Sequence, residues 1–128
     1  MRILGIDYGE KRIGLAISDE SQSIARELYI LSPKDFFNQL NQLIANHQIH
    51  KIVLGWPLNM SGQETKKTKE ISNFKIKISK KTNLPVETID ERLSSKMAEN
   101  LPGGKRNTDS LAAQILLQNY LDKNKSNV

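Results

Sequence analysis

Four carboxylates stand where an apolar segment stops or a helix begins. Asp7 closes the run Ile3-Leu4-Gly5-Ile6, the pair Asp90-Glu91 closes Val86 to Ile89, and Asp109 follows Thr108 at the head of an amphipathic stretch. Taken singly, each has an ordinary explanation. An Asp after a strand forms a turn, and an Asp in a first helical turn is favoured by the helix macrodipole. Taken together they point to chemistry, because groups at the carboxyl ends of neighbouring strands converge in space. Acids gathered at one spot repel one another unless a cation is present, and an oxygen-only donor set selects Mg²⁺ or Mn²⁺. The 128 residues include no cysteine, which excludes thiolate zinc sites, a cysteine nucleophile and a disulfide scaffold. The four acids therefore define a candidate metal site. His47 and His50 flank a helix-to-strand joint and are assigned to surface or capping roles.

Charge is concentrated in one place. The chain carries 19 Lys+Arg against 14 Asp+Glu, a net of +5. Residues 66 to 81 alone hold seven lysines and one glutamate, so the excess positive charge lies in that segment. At 100° per residue, Lys66, Lys69, Lys77 and Lys80 fall within roughly an 80° stripe, while Ile71, Phe74 and Ile78 form a second stripe. Ile76 falls near the lysines and does not fit. One wet basic face and one buried face are expected, which is the footprint of a surface that binds a polyanion.

The elements that must position these residues follow from the pattern. Ile3 to Ile6 reads as a buried central strand and Ile13 to Ile17 as its antiparallel hairpin partner across Tyr8-Gly9-Glu10-Lys11. Glu27 to Leu31 is a third strand. Ser32-Pro33-Lys34-Asp35 starts a helix, with Ser32 as N-cap and Pro33 at the first helical position. Ile49 to Leu54 is a strand stopping at Gly55, followed by the loop WPLNMSG. A lysine helix from about residue 64 to Thr82 leads to a fifth strand, Val86 to Ile89. A short helix is expected over 94–101, and a last one from Asp109 to about Asp122. There, Ala112-Ala113 would let the helix approach the sheet and bring Asp109 within reach of Asp7, with Leu116 and Tyr120 continuing that face. This order gives an α/β fold, a mixed five-stranded sheet whose first three strands are antiparallel, with helices packed on it. It is the order of the ribonuclease H-like fold. One domain over 1–122 is expected, with a frayed tail over 123–128. No apolar run approaches ~18 residues, and an acid at position 7 interrupts any signal-peptide core, so a cytoplasmic protein without a membrane partner is expected.

Four ordered blocks, GIDYGEKRIGLAISD, VLGWPLNMSGQE, IDERLSS and DSLAAQILLQNYLD, resemble the YqgF (RuvX-like) family. These are bacterial RNase H-fold proteins described as nucleases of pre-16S rRNA and, earlier, as Holliday-junction resolvases. The resemblance implies phosphodiester hydrolysis in 16S rRNA 5′-end maturation, with nucleic acid as partner: pre-rRNA first, branched DNA as the alternative, and an association with the ribosome or its small subunit. By position, it places the metal ligands at Asp7, Glu91 and Asp109, with Asp90 as alternate for Glu91, because strand alternation puts only one of that pair on the metal's face. Two divalent ions about 4 Å apart would then activate water and stabilise the leaving oxygen. Lys11 and Arg12 of the first hairpin, Arg92, Lys105 and Arg106, and the lysine stripe are expected to hold the backbone. Two departures from the family stand out: the stretch LSSKMAENLPGGKRNT before Asp109 is short, and Trp56 replaces a more usual aliphatic residue. Two rival readings remain: a non-catalytic RNA- or ribosome-associated protein, and an ATP-binding enzyme of the sugar-kinase/actin type, whose phosphate loop is also an Asp-x-Gly hairpin. The latter requires two such domains, and this length supplies one.

Overall fold

The computed structural model describes residues 1–56, 66–90 and 108–126. Its elements are β1 (Arg2–Asp7), β2 (Ile13–Ser18), β3 (Ala25–Leu31), α1 (Pro33–His47), β4 (Ile49–Trp56), α2 (Lys66–Thr82), β5 (Val86–Asp90) and α3 (Thr108–Ser126). The sheet order is β3-β2-β1-β4-β5. β1 pairs antiparallel with β2, and β2 with β3, while β1/β4 and β4/β5 are parallel. This is the expected mixed sheet of the ribonuclease H-like fold.

Local chemistry explains the helix limits. The Ser32 hydroxyl accepts from the Asp35 N–H at 3.2 Å and Pro33 stands at the first helical position, so two orphan groups of the helix start are dealt with. Gln48 takes a left-handed φ of 54° and returns its N–H to Ile44; Asn83 (φ 56°) does the same for α2, donating to Ser79 at 2.9 Å. β4 runs through Gly55 and Trp56, two residues past its expected stop, because the ladder with β5 continues to Trp56 opposite Asp90. α3 runs to Ser126, so residues 123–126, expected in a frayed tail, are helical. The short helix expected over 94–101 lies outside the described residues. Among the described residues no helix is long and apolar enough to cross a membrane.

The sheet has a core on each face. On one, Leu4, Ile6, Ile52 and Leu54 pack against Phe36 and Leu40 of α1 and Ile71, Phe74 and Ile78 of α2. On the other, Ile3, Ala16 and Val53 pack against Ala113, Leu116, Leu117 and Leu121 of α3. The lysine helix behaves as its periodicity requires: Ile71 and Ile78 are fully buried, and the misfit Ile76 is half exposed. Each buried side chain of that kind contributes about 2 kcal/mol, enough to hold a helix whose charges repel.

One glycine sets how close α3 lies to the sheet. A Cβ at Gly5 would come 2.9 Å from Leu117 Cβ and 3.4 Å from the Ala113 carbonyl oxygen. The crossing of β1 by α3 therefore depends on hydrogen at that position, with Ala113 as the small residue opposite. At the β2–β3 turn, the Asp19 carboxylate accepts from the Ser21 hydroxyl at 2.6 Å and from the Ser23 and Ile24 N–H groups at 2.8 and 3.1 Å. Those bonds, that of Ser21 foremost, hold its pKa down to about 2.

Two outcomes follow. Gly5→Ala should destabilise the fold by about 1–3 kcal/mol through overpacking, read as a lower denaturation midpoint; an unchanged midpoint would mean that α3 can lift off β1 without cost. Asp19→Ala should lower Tm, and the gap to wild type should be full above the unfolded pKa near 4 and shrink as pH falls through about 2, because protonating a depressed carboxyl removes the same acceptors. A gap constant down to pH 2 would contradict this assignment.

Candidate functional site

The carboxyl ends of the three parallel strands share one edge of the sheet. Ile6 is level with Leu54, and Gly55 with Ile89, so Asp7 comes level with Gly55 and Ile89. Ile3 and Gly5, which alternate with Asp7 along β1, face α3, and Ile89 packs on the same cluster. Asp7, half-buried at the strand end, thus belongs to the α3 face. Asp90 is level with Trp56, which packs with the opposite core, so its register position belongs to the other face. Asp90 also lines a groove of about 820 Å³ beside β5, with Lys75, Glu87, Tyr120 and Lys123. Glu91 lies outside the described residues.

The start of α3 points at the same edge as Asp7. Its C-terminal half is tied to the opposite end of the sheet. Gln118 accepts from the Ala25 N–H at 2.8 Å and donates to the Ser23 carbonyl at 3.0 Å. Tyr120 donates to Glu87 and accepts from Lys51, which lies at the start of β4. That hydrogen bond, more than the charge of Glu87, holds the Lys51 ammonium above the usual lysine range. Working back from these ties, Ala113 crosses β1 at Gly5, and position 109 is one helical turn nearer the edge. Asp7 lies two residues beyond Gly5 on the strand. Among the described residues, no three His, Asp or Glu side chains come together as a metal-binding group; Glu91 falls outside them, and of Asp109 only the helical backbone is described.

Beside this edge stands the hairpin tip and the first turns of α2. Gly9 is required there, since a Cβ would meet the Arg12 carbonyl oxygen at 2.5 Å. The Tyr8 ring lies 4.5 Å from that of Phe74, which fastens α2 to the residue after Asp7. Burial, then the charges of Glu70 and Glu10, push the Tyr8 hydroxyl pKa up. Gly9, Glu10, Lys66 and Glu70 border a groove of about 410 Å³. Lys11 and Arg12 are exposed on the tip, as are Lys66, Lys69, Lys77 and Lys80 on α2.

The lysine stripe is less uniform than its spacing suggests. Lys77 stands 4.4 Å from the centroid of the Phe37 ring, and Lys81 donates to the Phe37 carbonyl at 2.7 Å. Phe37, a residue that sequence spacing left out, therefore ties the C-terminal half of the basic helix to α1. Lys75 sits on the other flank, toward β5. In sequence Tyr8 is likewise only part of a turn; its aromatic character beside a helix holding Phe74 is the available signal. His50 Nδ1 meets the Arg2 carbonyl of the neighbouring strand at 3.0 Å, and Trp56 packs against the core. Arg92, Lys105 and Arg106 lie outside the described residues.

Fold and edge together define a class. Thermus thermophilus RuvC in complex with a Holliday junction substrate has the same fold, at a TM-score of 0.64 and 12% identity over 98% of this chain and 96% of that one. A fowlpox virus Holliday junction resolvase superposes at a TM-score of 0.54 and 14% identity, over 96% of this chain and 99% of that one. The chain belongs to the RuvX family, whose sequence model, described as Holliday junction resolvase, matches residues 1–123. Among its relatives, a Dictyoglomus turgidum protein named "Putative pre-16S rRNA nuclease" is 42% identical over 95% of this chain and 94% of its own length. A protein of the same name from Maridesulfovibrio salexigens is 38% identical over 94% and 98%.

Proposed function

We propose that this chain is a metal-dependent endonuclease that hydrolyses phosphodiester bonds of RNA in the 5′-end maturation of pre-16S rRNA, acting in the cytoplasm on the small-subunit precursor. The observation that carries the reading is the shared edge: Asp7 ends the central strand, the start of α3 is directed to it across Gly5, and the basic helix is fastened alongside by Tyr8 and Phe74. The names of the relatives support RNA as the substrate. The family's description supports a second reading, a four-way DNA junction.

A hard divalent cation fits the donors. Asp7 is a half-buried carboxylate at a strand end, and the chain offers carboxylates but no thiolate. Asp7, Glu91 and Asp109 would hold Mg²⁺ or Mn²⁺. When bound, the metal supplies an activated water and stabilises the leaving oxygen. The protein does the rest. Lys66, Lys69, Lys77 and Lys80 neutralise phosphates along the strand, Lys11 and Arg12 hold it at the hairpin tip, and Arg92, Lys105 and Arg106 add cations from the segment between Asp90 and α3. The carboxylates hold negative charge where the cation sits and so keep the phosphate from occupying the edge without it.

Cleavage of single-stranded RNA, duplex RNA and a four-way DNA junction, each with and without Mg²⁺ or Mn²⁺, tests the proposal. Cleavage of RNA that drops by about a thousandfold in Asp7→Asn is expected, since several kcal/mol of charge stabilisation is lost. Junction cleavage alone would replace the RNA reading, and no cleavage of any substrate would favour a non-catalytic RNA-associated protein.

Glu91→Gln should abolish turnover while Asp90→Asn, on the other face, stays active; the reverse would make Asp90 the ligand, and two active variants would refute the three-carboxylate site. Replacing Lys66, Lys69, Lys77 and Lys80 by Ala should weaken RNA binding at every sequence. The slope of log K against log salt should become shallower by roughly 0.7 per lost phosphate contact. An unchanged slope would mean that the helix is merely solvated.

A further inference from the structure

The far edge of the sheet carries a pocket that the cleavage edge does not use. β3 is bulged: Gly14 pairs with Ile30 and Ala16 with Glu27, so Leu28 and Tyr29 both stand opposite the single residue Leu15. A bulge of this kind re-aims a side chain. Leu28 goes to the core shared with α1. Tyr29, 48% exposed, lines a pocket of about 170 Å³ with Gln39, Gln42, Leu43, Asn46 and His47 of α1. Leu43 is buried and forms the apolar base. Gln39, Gln42 and Asn46 follow one another at i, i+3 and i+7, one side of the helix.

The lining has an unusual composition for a chain in which 26% of residues are charged. From Phe36 to His50 there is no Lys, Arg, Asp or Glu, and the outer side of α1 presents Asn38, Gln39, Asn41, Gln42 and Asn46. A carboxamide surface carries no charge to draw in phosphate or metal from a distance. It offers paired donors and acceptors, and a side-chain amide matches the N6/N7 edge of adenine with two hydrogen bonds. An exposed aromatic ring beside such amides stacks an unpaired base. The volume suits one planar ring system.

Location agrees with this use. α1 lies between the pocket and the basic helix: its Phe37 is under Lys77, while its Gln39, Gln42 and Asn46 face Tyr29. A strand whose phosphates lie on α2 can cross α1 and present a base to β3. Ile30, the neighbour of Tyr29, pairs with Gly14, which pairs with Asp7. The pocket thus stands two strands over from β1, on the α1 face of the sheet, the face that also carries the basic helix, while Asp7 belongs to the α3 face.

We propose that the pocket between β3 and α1 binds one unstacked base of single-stranded RNA, preferably adenine, with Tyr29 stacking on the ring and Gln39, Gln42 and Asn46 pairing with its edge. The proposal rests on the RNA reading above and deepens it: the lysines hold the strand, and this pocket selects the base of one nucleotide along it. Tyr29 is then a specificity residue.

The test is equilibrium binding without added metal, so that cleavage does not enter. Fluorescein-labelled oligoadenylate and oligouridylate are titrated with wild-type protein, Tyr29→Ala, Tyr29→Phe and Gln42→Ala across a salt series. Oligoadenylate is expected to bind at least fivefold more tightly than oligouridylate. Tyr29→Ala should lose about tenfold for oligoadenylate, the range for one base–aromatic stack, with no change in salt slope. Tyr29→Phe should keep the affinity, and Gln42→Ala should narrow the preference for adenine. Equal oligoadenylate affinity for wild type and Tyr29→Ala, or a loss accompanied by a shallower salt slope, would overturn the pocket while leaving the lysine surface standing. A wild-type protein that binds neither oligonucleotide would overturn the RNA reading itself. Adenosine 5′-monophosphate binding as tightly as oligoadenylate would also overturn the proposal, making the pocket a site for free nucleotides.

Discussion

The closeness of α3 to β1 is the constraint on which the other arrangements depend. Helices usually stand off a sheet by the length of two interleaved side chains. Here a strand residue without Cβ meets the turn of Ala113 and Leu117, and the helix backbone comes down onto the central strand. That contact fixes the depth of the helix. The ties of Gln118 to the β2–β3 turn and of Tyr120 to Glu87 and Lys51 fix its direction. With depth and direction set at one end, the other end of the helix has a single place to go, the edge where β1 stops at Asp7. A position on a helix keeps a fixed relation to one on a strand only if both elements are held to within a fraction of an ångström, and a packed crossing does this better than a loop.

The opposite layer answers a different problem. Seven lysines in one segment repel one another, and the helix that carries them has no acidic residue in its first turn. Its stability comes from the buried stripe and from partners that accept positive charge without neutralising it. The Phe37 ring and carbonyl take Lys77 and Lys81, and Tyr8 clamps Phe74 from the strand side. The charge remains available to a polyanion because an aromatic face, unlike a carboxylate, leaves the net charge of the surface unchanged.

Much of this was legible in the residues. Strand ends marked by Asp7 and Asp90, the Ser32-Pro33 start of α1, the buried stripe of α2 and the place of Asp109 at the head of α3 all follow from period and capping, which are local. Gly5 looks in sequence like one more residue of an apolar strand, since the need for hydrogen there arises from a helix more than a hundred residues away in the chain. The same holds for Phe37, whose role depends on α2 lying beside α1, and for the bulge at Leu28–Tyr29, which no alternation pattern announces. Gly55 looks like a terminator and so ends β4 two residues early in sequence; the parallel ladder to β5 carries the strand on to Trp56. Register, by contrast, did what spacing alone could not do for the acidic pair: it set Asp90 on the face of Trp56 and away from Asp7.

An open five-stranded sheet has two outer strands, and each of them could recruit a neighbouring chain. Neither offers a good template. β3 is interrupted by its bulge and carries Arg26 and Glu27, both exposed, just before it, so a straight incoming strand would lose register after three residues. β5 is only five residues long, too short to template a stable added strand. A sheet finished in this way at both outer strands resists the strand-by-strand addition of further copies by which a fibre grows.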